Sequence, residues 1–167
     1  MIHPLVKIIV VDDFFKHKDA ENLSRVAASL QYTQHEFGEQ VDNFNMVPED
    51  ANKMFSDVLN TKIEVDEDAS GVFRKPVTWI HFEGFDNLNE WLFFCALSET
   101  TLNIFEHQSG ARTALEEYKF DYRNFFEWDL RTDFVLKPGQ GILFRPWLFH
   151  SFNGGLIQMF KLREVEE

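Results

Sequence analysis

From residue 71 onward the sequence is a series of short strand-like runs separated by turn residues. The runs are rich in β-branched and aromatic residues, and glycine, proline, asparagine, aspartate or serine falls between them. They cover residues 72–74, 78–82, 91–97, 101–106, 134–136, 141–144 and 156–162. Many short strands with such punctuation are typical of an antiparallel sandwich or barrel. The chain is therefore predicted to be mostly β.

The first 60 residues carry a different pattern, with one strand at residues 7–11 and two amphipathic helices. Asp19 is expected to cap the first helix. The apolar positions of this helix recur at helical spacing and comprise Leu23, Val26, Ala27 and Leu30. Pro48 is expected to open the second helix, because proline is preorganised for a first helical turn. The apolar face of that helix comprises Ala51, Met54, Phe55, Val58 and Leu59. Both faces are predicted to pack on the core.

Two segments interrupt the strand pattern. Residues 64–70 are acidic and small and are predicted to form a solvated loop. Residues 111–129 have aromatic and apolar side chains at helical spacing, namely Leu115, Tyr118, Tyr122, Phe125 and Phe126. This insert is predicted to be a helix that covers one mouth of the barrel and is more mobile than the sheets.

The length of 167 residues predicts a single domain, with N-terminal strand and helices in 1–60 and a β core in 71–163. The net charge of −12, without a Lys/Arg cluster, argues against nucleic acid and anionic membranes as partners. No stretch has the pattern of a signal peptide or a spanning helix, so a soluble, cytoplasmic protein is expected. Cys95 is the single cysteine of the sequence, so an internal disulfide is excluded. It is expected to be a buried hydrophobic residue. The oligomeric state, homodimer included, is left open.

His81 and Glu83 are the first candidates for chemistry. They alternate with Phe82, so on a strand they would point to the same face. An imidazole beside a carboxylate suits Fe(II), Mn(II) or Zn(II). His150 follows a Pro-Gly turn, a strand and a second proline, and in a jelly roll it could lie opposite His81. Two imidazoles and one carboxylate would form a facial triad, with three metal positions open.

The order of these segments resembles Fe(II)/2-oxoglutarate oxygenases of the prolyl-hydroxylase-like and phage or marine bacterial types. Residues 8–15 are similar to the family's "valine, aspartate, apolar" start, and residues 79–83 to its His-x-Asp/Glu strand. The strands at 91–97 and 101–107 and the segment 138–150 follow in the family's order. The resemblance implies a double-stranded β-helix (jelly-roll, cupin-like) fold. It also implies Fe(II) and 2-oxoglutarate as cofactors and His81, Glu83 and His150 as metal ligands and catalytic residues.

Two departures from the family pattern concern activity. Glu83 stands where the family usually has aspartate, and Gly155 stands where we align the basic residue that grips the far carboxylate of 2-oxoglutarate. Arg145, Lys161 and Arg163 are the remaining cationic candidates on nearby segments. We expect 2-oxoglutarate to bind weakly or not at all unless Arg145 or Lys161 points into the barrel, since a buried carboxylate must be paired.

Three functions follow as hypotheses. The first is an Fe(II)/2-oxoglutarate-dependent dioxygenase that hydroxylates a small molecule or peptide. The second is a non-enzymatic jelly-roll binding module that has lost cosubstrate binding. The third is a cupin-like metal enzyme that uses O₂ without 2-oxoglutarate. His107 lies at a strand end and is expected to make local hydrogen bonds in a turn.

Overall fold

A computed structural model of the chain describes residues 8–35, 38–41, 47–74, 80–83, 85–115 and 119–166. Its helices are α1 (His17–Ala28) and α2 (Ala51–Leu59), with one 3₁₀ turn at Phe125–Glu127. Its strands are β1 (Ile9–Val11), β2 (Tyr32–His35), β3 (Gly38–Val41), β4 (Ile63–Arg74), β5 (Glu90–Ala96), β6 (Thr100–His107), β7 (Trp128–Leu136), β8 (Gly141–Phe144), β9 (His150–Asn153) and β10 (Leu156–Glu164).

The strands form two facing antiparallel sheets. The larger has the order β1-β8-β5-β10-β4-β3-β2, and the smaller has the order β7-β6-β9. His81 extends the smaller sheet by an isolated antiparallel bridge to His150 at the start of β9. The chain passes from one sheet to the other between β5 and β6, and again at each step from β7 through β10. The predicted jelly-roll fold with N-terminal helices is confirmed.

Alternation along the strands divides the core into two layers. Leu92 and Phe94 of β5 point between the sheets, where they pack with Ile104 of β6 and Phe152 of β9. Their neighbours Trp91, Phe93 and Cys95 point to the other face of the large sheet. The period of two residues therefore explains why every residue of β5 is buried.

The outer layer is a stack of aromatic rings between the large sheet and α2. Phe55 of α2 lies between Phe14, Phe93 and Phe160, with ring centroids 5.5, 4.9 and 5.7 Å away. All four rings are buried. Several of the 19 phenylalanines thus join the N-terminal helices to the sheet. Cys95 lies in the same layer, and burial raises the pKa of its thiol to about 12.

The acidic stretch at 64–70 is a strand, so the predicted loop is wrong. It belongs to β4, which pairs with β10, with a register shift between Met159 and Lys161. The side chains of Asp66, Glu67 and Asp68 stay exposed. The acidic composition therefore predicted the solvent exposure of these carboxylates correctly but not the backbone conformation. Residues 64–66 pair with β10, and residues 67–70 lie at the register shift.

The helix predicted in 111–129 is also wrong. In the described part of this insert, 111–115 and 119–129, the chain forms turns, an isolated bridge from Thr113 to Leu148, the 3₁₀ turn at Phe125–Glu127 and the first two residues of β7. Tyr122 stacks on Trp128 with centroids 5.6 Å apart, and Trp128 donates from its indole to the carbonyl of Asp121. Tertiary packing of aromatic rings thus replaces the helix, while Phe126 is left 90% exposed. Tyr118 lies outside the described residues.

Smaller corrections concern element ends. Lys16, not Asp19, is the N-cap of α1, and Asp19 lies in its first turn. Helix α2 begins at Ala51, whose N–H donates to the carbonyl of Pro48, so proline precedes the helix by one turn. Val58 is 40% exposed and does not belong to the buried face. Residues 7, 78 and 79 of the predicted strands lie outside the described residues.

We expect Phe55→Ala to lower the free energy of unfolding by about 3–5 kcal/mol, because it leaves a cavity among three rings. Phe126→Ala is the matched control, and its exposed ring should change that free energy by less than about 0.5 kcal/mol. Urea denaturation followed by tryptophan fluorescence measures both. Equal losses for the two variants would contradict the proposed role of the aromatic stack.

Candidate metal centre

Two backbone hydrogen bonds bring His81 and His150 side by side. The N–H of each donates to the carbonyl of the other at 2.9 Å. This reciprocal pair places the imidazole rings on the same side of the sheet, with centroids 4.3 Å apart. Both side chains are buried, His150 completely and His81 to all but 6%.

Glu83 completes the group and lies two residues after His81, where the chain leaves the bridge to His150. Its N–H donates to the carbonyl of Pro146 at 2.9 Å, which fixes the backbone beside the turn that precedes His150. Its Oε1 lies 3.2 Å from Nε2 of His81 and 3.6 Å from Nε2 of His150. One ligand atom from each of the three residues lies within 4.8 Å of the others. A single ion could therefore contact all three.

The tautomer of His150 is set by a second hydrogen bond. Nδ1 lies 2.7 Å from the carbonyl of Leu148, so it carries the proton and donates it. In the neutral ring Nε2 then holds a lone pair. Within the described residues this buried nitrogen has no hydrogen-bond partner, and it faces the Glu83 carboxylate. Two acceptors 3.6 Å apart favour a cation between them, and the Leu148 carbonyl orients the ring as outer groups of metal sites do.

The charges of the group suit a divalent metal. Burial would raise the pKa of the Glu83 carboxyl, but the facing imidazoles of His150 and His81 outweigh burial and lower that pKa to about 2. Burial and the neighbouring His81 lower the pKa of His150, against the opposing effect of Glu83. An ionised carboxylate and a neutral imidazole are the protonation states that metal binding requires.

An apolar wall surrounds His150. The rings of Phe144, Phe152 and Phe94 lie 5.0, 5.6 and 6.0 Å from the imidazole, measured between centroids. Phe149 and Ile80, which precede the two histidines, pack with Phe120 and Tyr122 of the insert. The insert thus lies against the segments that carry the histidines, whereas its predicted mobility stays a prediction.

Arg145 is held outside the barrel. Its guanidinium stacks 3.7 Å above the ring of Trp91, a residue of the outer layer, and pairs with Glu164 at 3.2 Å. It also donates to the carbonyls of Leu88 and Glu90. These contacts fix the chain just before Pro146, whose carbonyl holds Glu83. Arg145 therefore stabilises, from the outer face of the large sheet, the backbone segment that holds Glu83.

Lys161 lies on the inner face of the large sheet. It is directly paired with Leu92 of β5, and Leu92 is paired with Phe144 of β8. Opposite residues of antiparallel strands share a face, and both partners belong to the core between the sheets. Phe144 contacts His150, so Lys161 stands two strands, or roughly 10 Å of backbone spacing, from a ring of the metal-centre wall. Its Nζ pairs with Glu90 at 3.4 Å.

Gly155 is unsuited to the role that the alignment gave it. It lies before β10 with a φ of +90°, and a Cβ there would approach Oγ1 of Thr100 to 1.7 Å. Only glycine fits this close passage of the β9–β10 connection. A basic side chain aligned with residue 155 would thus belong elsewhere on the strand. Lys161 and Arg163 share the inner face of β10, and Lys161 is the less exposed of the two, at 19% against 61%.

His107 stands apart from the triad. Its Nδ1 lies 2.8 Å from Oγ of Ser109 and its Nε2 lies 3.3 Å from a carboxylate oxygen of Glu127. The predicted local hydrogen bonding in a turn agrees with these contacts. His107 is nevertheless buried beside an acid, which makes it a matched control for the triad histidines.

Comparison with known proteins bears on the fold. No protein-family model and no curated protein sequence matches the chain. Among solved structures, HygX from Streptomyces hygroscopicus with nickel, 2-oxoglutarate and hygromycin B bound is similar over 96% of this chain and 83% of its own, with a TM-score of 0.63 and 10% identity. The non-heme alpha-ketoglutarate-dependent epimerase SnoN from nogalamycin biosynthesis is similar over 96% and 79%, with a TM-score of 0.59 and 10% identity. At such low identity the likeness establishes the jelly-roll fold alone. The prolyl-hydroxylase-like or phage subgroup stays a prediction.

No helix of the described residues combines the length and the apolar character needed to cross a membrane.

We expect the protein to bind one divalent ion per chain and His150→Ala to weaken that binding at least ~100-fold, since loss of an outer partner alone costs 10–100-fold. Chelator-stripped protein titrated anaerobically with Fe(II), and separately with Ni(II), followed by elemental analysis, measures the stoichiometry and affinity. His107→Ala is the matched control and should keep the wild-type affinity. Unchanged binding in the His150 variant would remove the triad as the metal site.

Proposed function

We propose that the chain is a non-haem Fe(II)- and 2-oxoglutarate-dependent oxygenase. The observation that carries this proposal is the lone-pair nitrogen of His150, buried without a hydrogen-bond partner among the described residues and facing an ionised Glu83 beside His81. A two-histidine, one-carboxylate set with open positions favours Fe(II) among the biological metals. His81, Glu83 and His150 would hold the ion and are the proposed catalytic residues.

The bound metal would supply two-position binding of a 2-oxo acid and activation of O₂, coupled to oxidation of a C–H bond. The residues of this chain do the rest. Leu148 and Pro146 orient His150 and Glu83 through their carbonyls. Phe94, Phe144 and Phe152 exclude water from the space beside the imidazoles.

Lys161 is the proposed anchor for the distal carboxylate of 2-oxoglutarate. It is a cation on the inner face of the barrel, two strands from the Phe144 ring that packs on His150. A buried carboxylate needs such a partner. Arg145 is stacked on Trp91 and paired with Glu164, so it is not available for this role.

The structures that share this fold support the proposal. HygX has been solved with iron bound, with a TM-score of 0.57 to this chain, and with nickel and 2-oxoglutarate, with a TM-score of 0.58. SnoN from nogalamycin biosynthesis is a non-heme alpha-ketoglutarate-dependent epimerase. For this chain we propose hydroxylation of a small molecule or peptide. The many surface carboxylates make nucleic acid an unsuitable substrate.

Two other functions make different demands on Lys161. A binding module that has lost the cosubstrate, or a cupin-like metal enzyme that does not use 2-oxoglutarate, has no need for a cation inside the barrel. A charged side chain on an inner face is costly unless it serves a partner or a ligand. Lys161 has such a partner in Glu90, so its inward position supplies a cation for a cosubstrate carboxylate and is also compatible with the other two functions.

We expect the Fe(II)-loaded protein to convert 2-oxoglutarate to succinate under O₂, even slowly and without a second substrate. Lys161→Met should raise the KM for 2-oxoglutarate about 100-fold or more, because it leaves the distal carboxylate beside Glu90 with no cation to offset their repulsion. Arg163→Met is the control on the same strand, where the side chain is 61% exposed, and it should change that KM less than about twofold. Succinate measured by chromatography gives the rates.

An absence of succinate from metal-loaded wild-type protein would overturn the 2-oxoglutarate dependence. Turnover with an unchanged KM in the Lys161 variant would leave the reaction intact and reject the anchor.

A further inference from the structure

Glu90 is the ion-pair partner of Lys161. The carboxylate of Glu90 is 4% exposed, and one of its oxygens, Oε1, accepts the N–H of Asp86 at 3.1 Å. The other oxygen, Oε2, lies 3.4 Å from Nζ of Lys161 and is buried without a hydrogen bond in the described part of the chain. The two charges are thus close enough to attract each other but not joined by a short hydrogen bond.

The strand register puts both residues on the inner face. Glu90 lies two residues before Leu92 on β5, so it shares the face of Leu92 and Phe94. Lys161 is paired with Leu92 from the neighbouring strand. The pair is therefore diagonal across two adjacent strands of the inner face, at the end toward the loop that contains Asp86.

A cleft of ≈ 600 Å³ opens onto this pair. Besides Glu90 and Lys161, the charged residues on its wall are Glu64, Asp66, Glu67, Asp68, Asp86 and Arg163. Six carboxylates thus face two cations. A ligand that reached Lys161 by this route would cross a field of negative charge, which disfavours a dianion more than a monoanion.

We infer that Glu90 is a selectivity residue that acts as an internal counter-carboxylate for Lys161 and discriminates against 2-oxo acids with a charged distal end. This inference rests on the proposed function of the same site. A distal carboxylate at Lys161 must either displace Glu90, which is anchored through Asp86, or share the cation with it. Sharing puts two carboxylates in contact, and like charges at such a distance repel strongly in a poorly solvated site.

A 2-oxo acid with a neutral distal end avoids this conflict. Such a monoanion would use the metal centre in the same way and leave the ion pair between Glu90 and Lys161 intact. The wild-type protein should therefore gain little from the distal carboxylate of 2-oxoglutarate. Replacement of Glu90 by its neutral isostere should release Lys161 and restore the full gain.

The test compares two cosubstrates that have five carbons and differ in distal charge, 2-oxoglutarate and 2-oxopentanoate. Each is titrated into nickel-loaded protein, which binds without turnover, and dissociation constants are measured by calorimetry. Glu90→Gln keeps an acceptor for the Asp86 N–H and removes the charge. Glu64→Gln is the matched control, because it removes one charge from the same cleft at a side chain that is 48% exposed.

We expect Glu90→Gln to tighten 2-oxoglutarate binding at least tenfold and to change 2-oxopentanoate binding less than threefold, while Glu64→Gln changes both less than threefold. In wild-type protein the two acids should bind within about tenfold of each other. This comparison needs no variant, so it tests the inference even if Glu90→Gln fails to fold.

A wild-type preference for 2-oxoglutarate greater than 100-fold, or equal 2-oxoglutarate affinity in wild type and Glu90→Gln, would overturn the role of Glu90 and leave the proposed function standing. Binding of neither acid by metal-loaded wild-type protein or Glu90→Gln would overturn the proposed function itself, and the inference with it.

Discussion

The reciprocal backbone pair between His81 and His150 is the interaction on which the centre depends. It brings together residues 69 positions apart in the sequence, and it does so through main-chain groups that no side-chain substitution removes directly. The pair in turn requires β9 to lie against β6, where His150 is opposite Ile104. The metal centre is therefore a product of sheet register, and a shift of one residue would turn both imidazoles to the other face.

Polar groups in this centre are tolerated because they satisfy one another. His81 lies within hydrogen-bond distance of Glu83, and His150 donates to Leu148, so the cost of burying them among phenylalanine rings is partly offset. Nε2 of His150 is buried without a hydrogen bond among the described residues. Because the unmade hydrogen bond is at a candidate ligand atom, the group is preorganised for a cation, and binding requires little rearrangement of the chain.

Sequence predicted the parts of the fold that repeat a local pattern. Strand β5 was predicted within one residue at each end because all of its residues except Glu90 are apolar. Strand β9 was missed, because its four residues include His150 and Ser151 and carry no alternation long enough to recognise. Residues 64–70 were misread because pairing with β10 is a long-range interaction that local composition does not encode.

The candidate site shows the same division between local pattern and tertiary context. Period-two spacing brought His81 and Glu83 to one side, and the order of segments brought His150 to them. No local signal distinguished Lys161 from Arg145, because the difference is one of strand face. Arg145 follows the inward Phe144 by one residue and so turns outward onto Trp91. Glu90 was not singled out at all, since one acid before an apolar strand resembles an ordinary strand start.

The pairing of Lys161 with Glu90 places stability and function in opposition. An unpaired ammonium on the inner face would destabilise the ligand-free protein by several kcal/mol, so a buried counter-charge favours folding. The same counter-charge competes with any carboxylate that binds later, because a dicarboxylate must either displace Glu90 from Lys161 or share the cation with it. A monoanionic cosubstrate leaves the ion pair in place. The ion pair between Glu90 and Lys161 thus stabilises the ligand-free protein around an inward cation. The same pair lowers the affinity of this cation for a dicarboxylate, the ligand that it would otherwise attract most strongly.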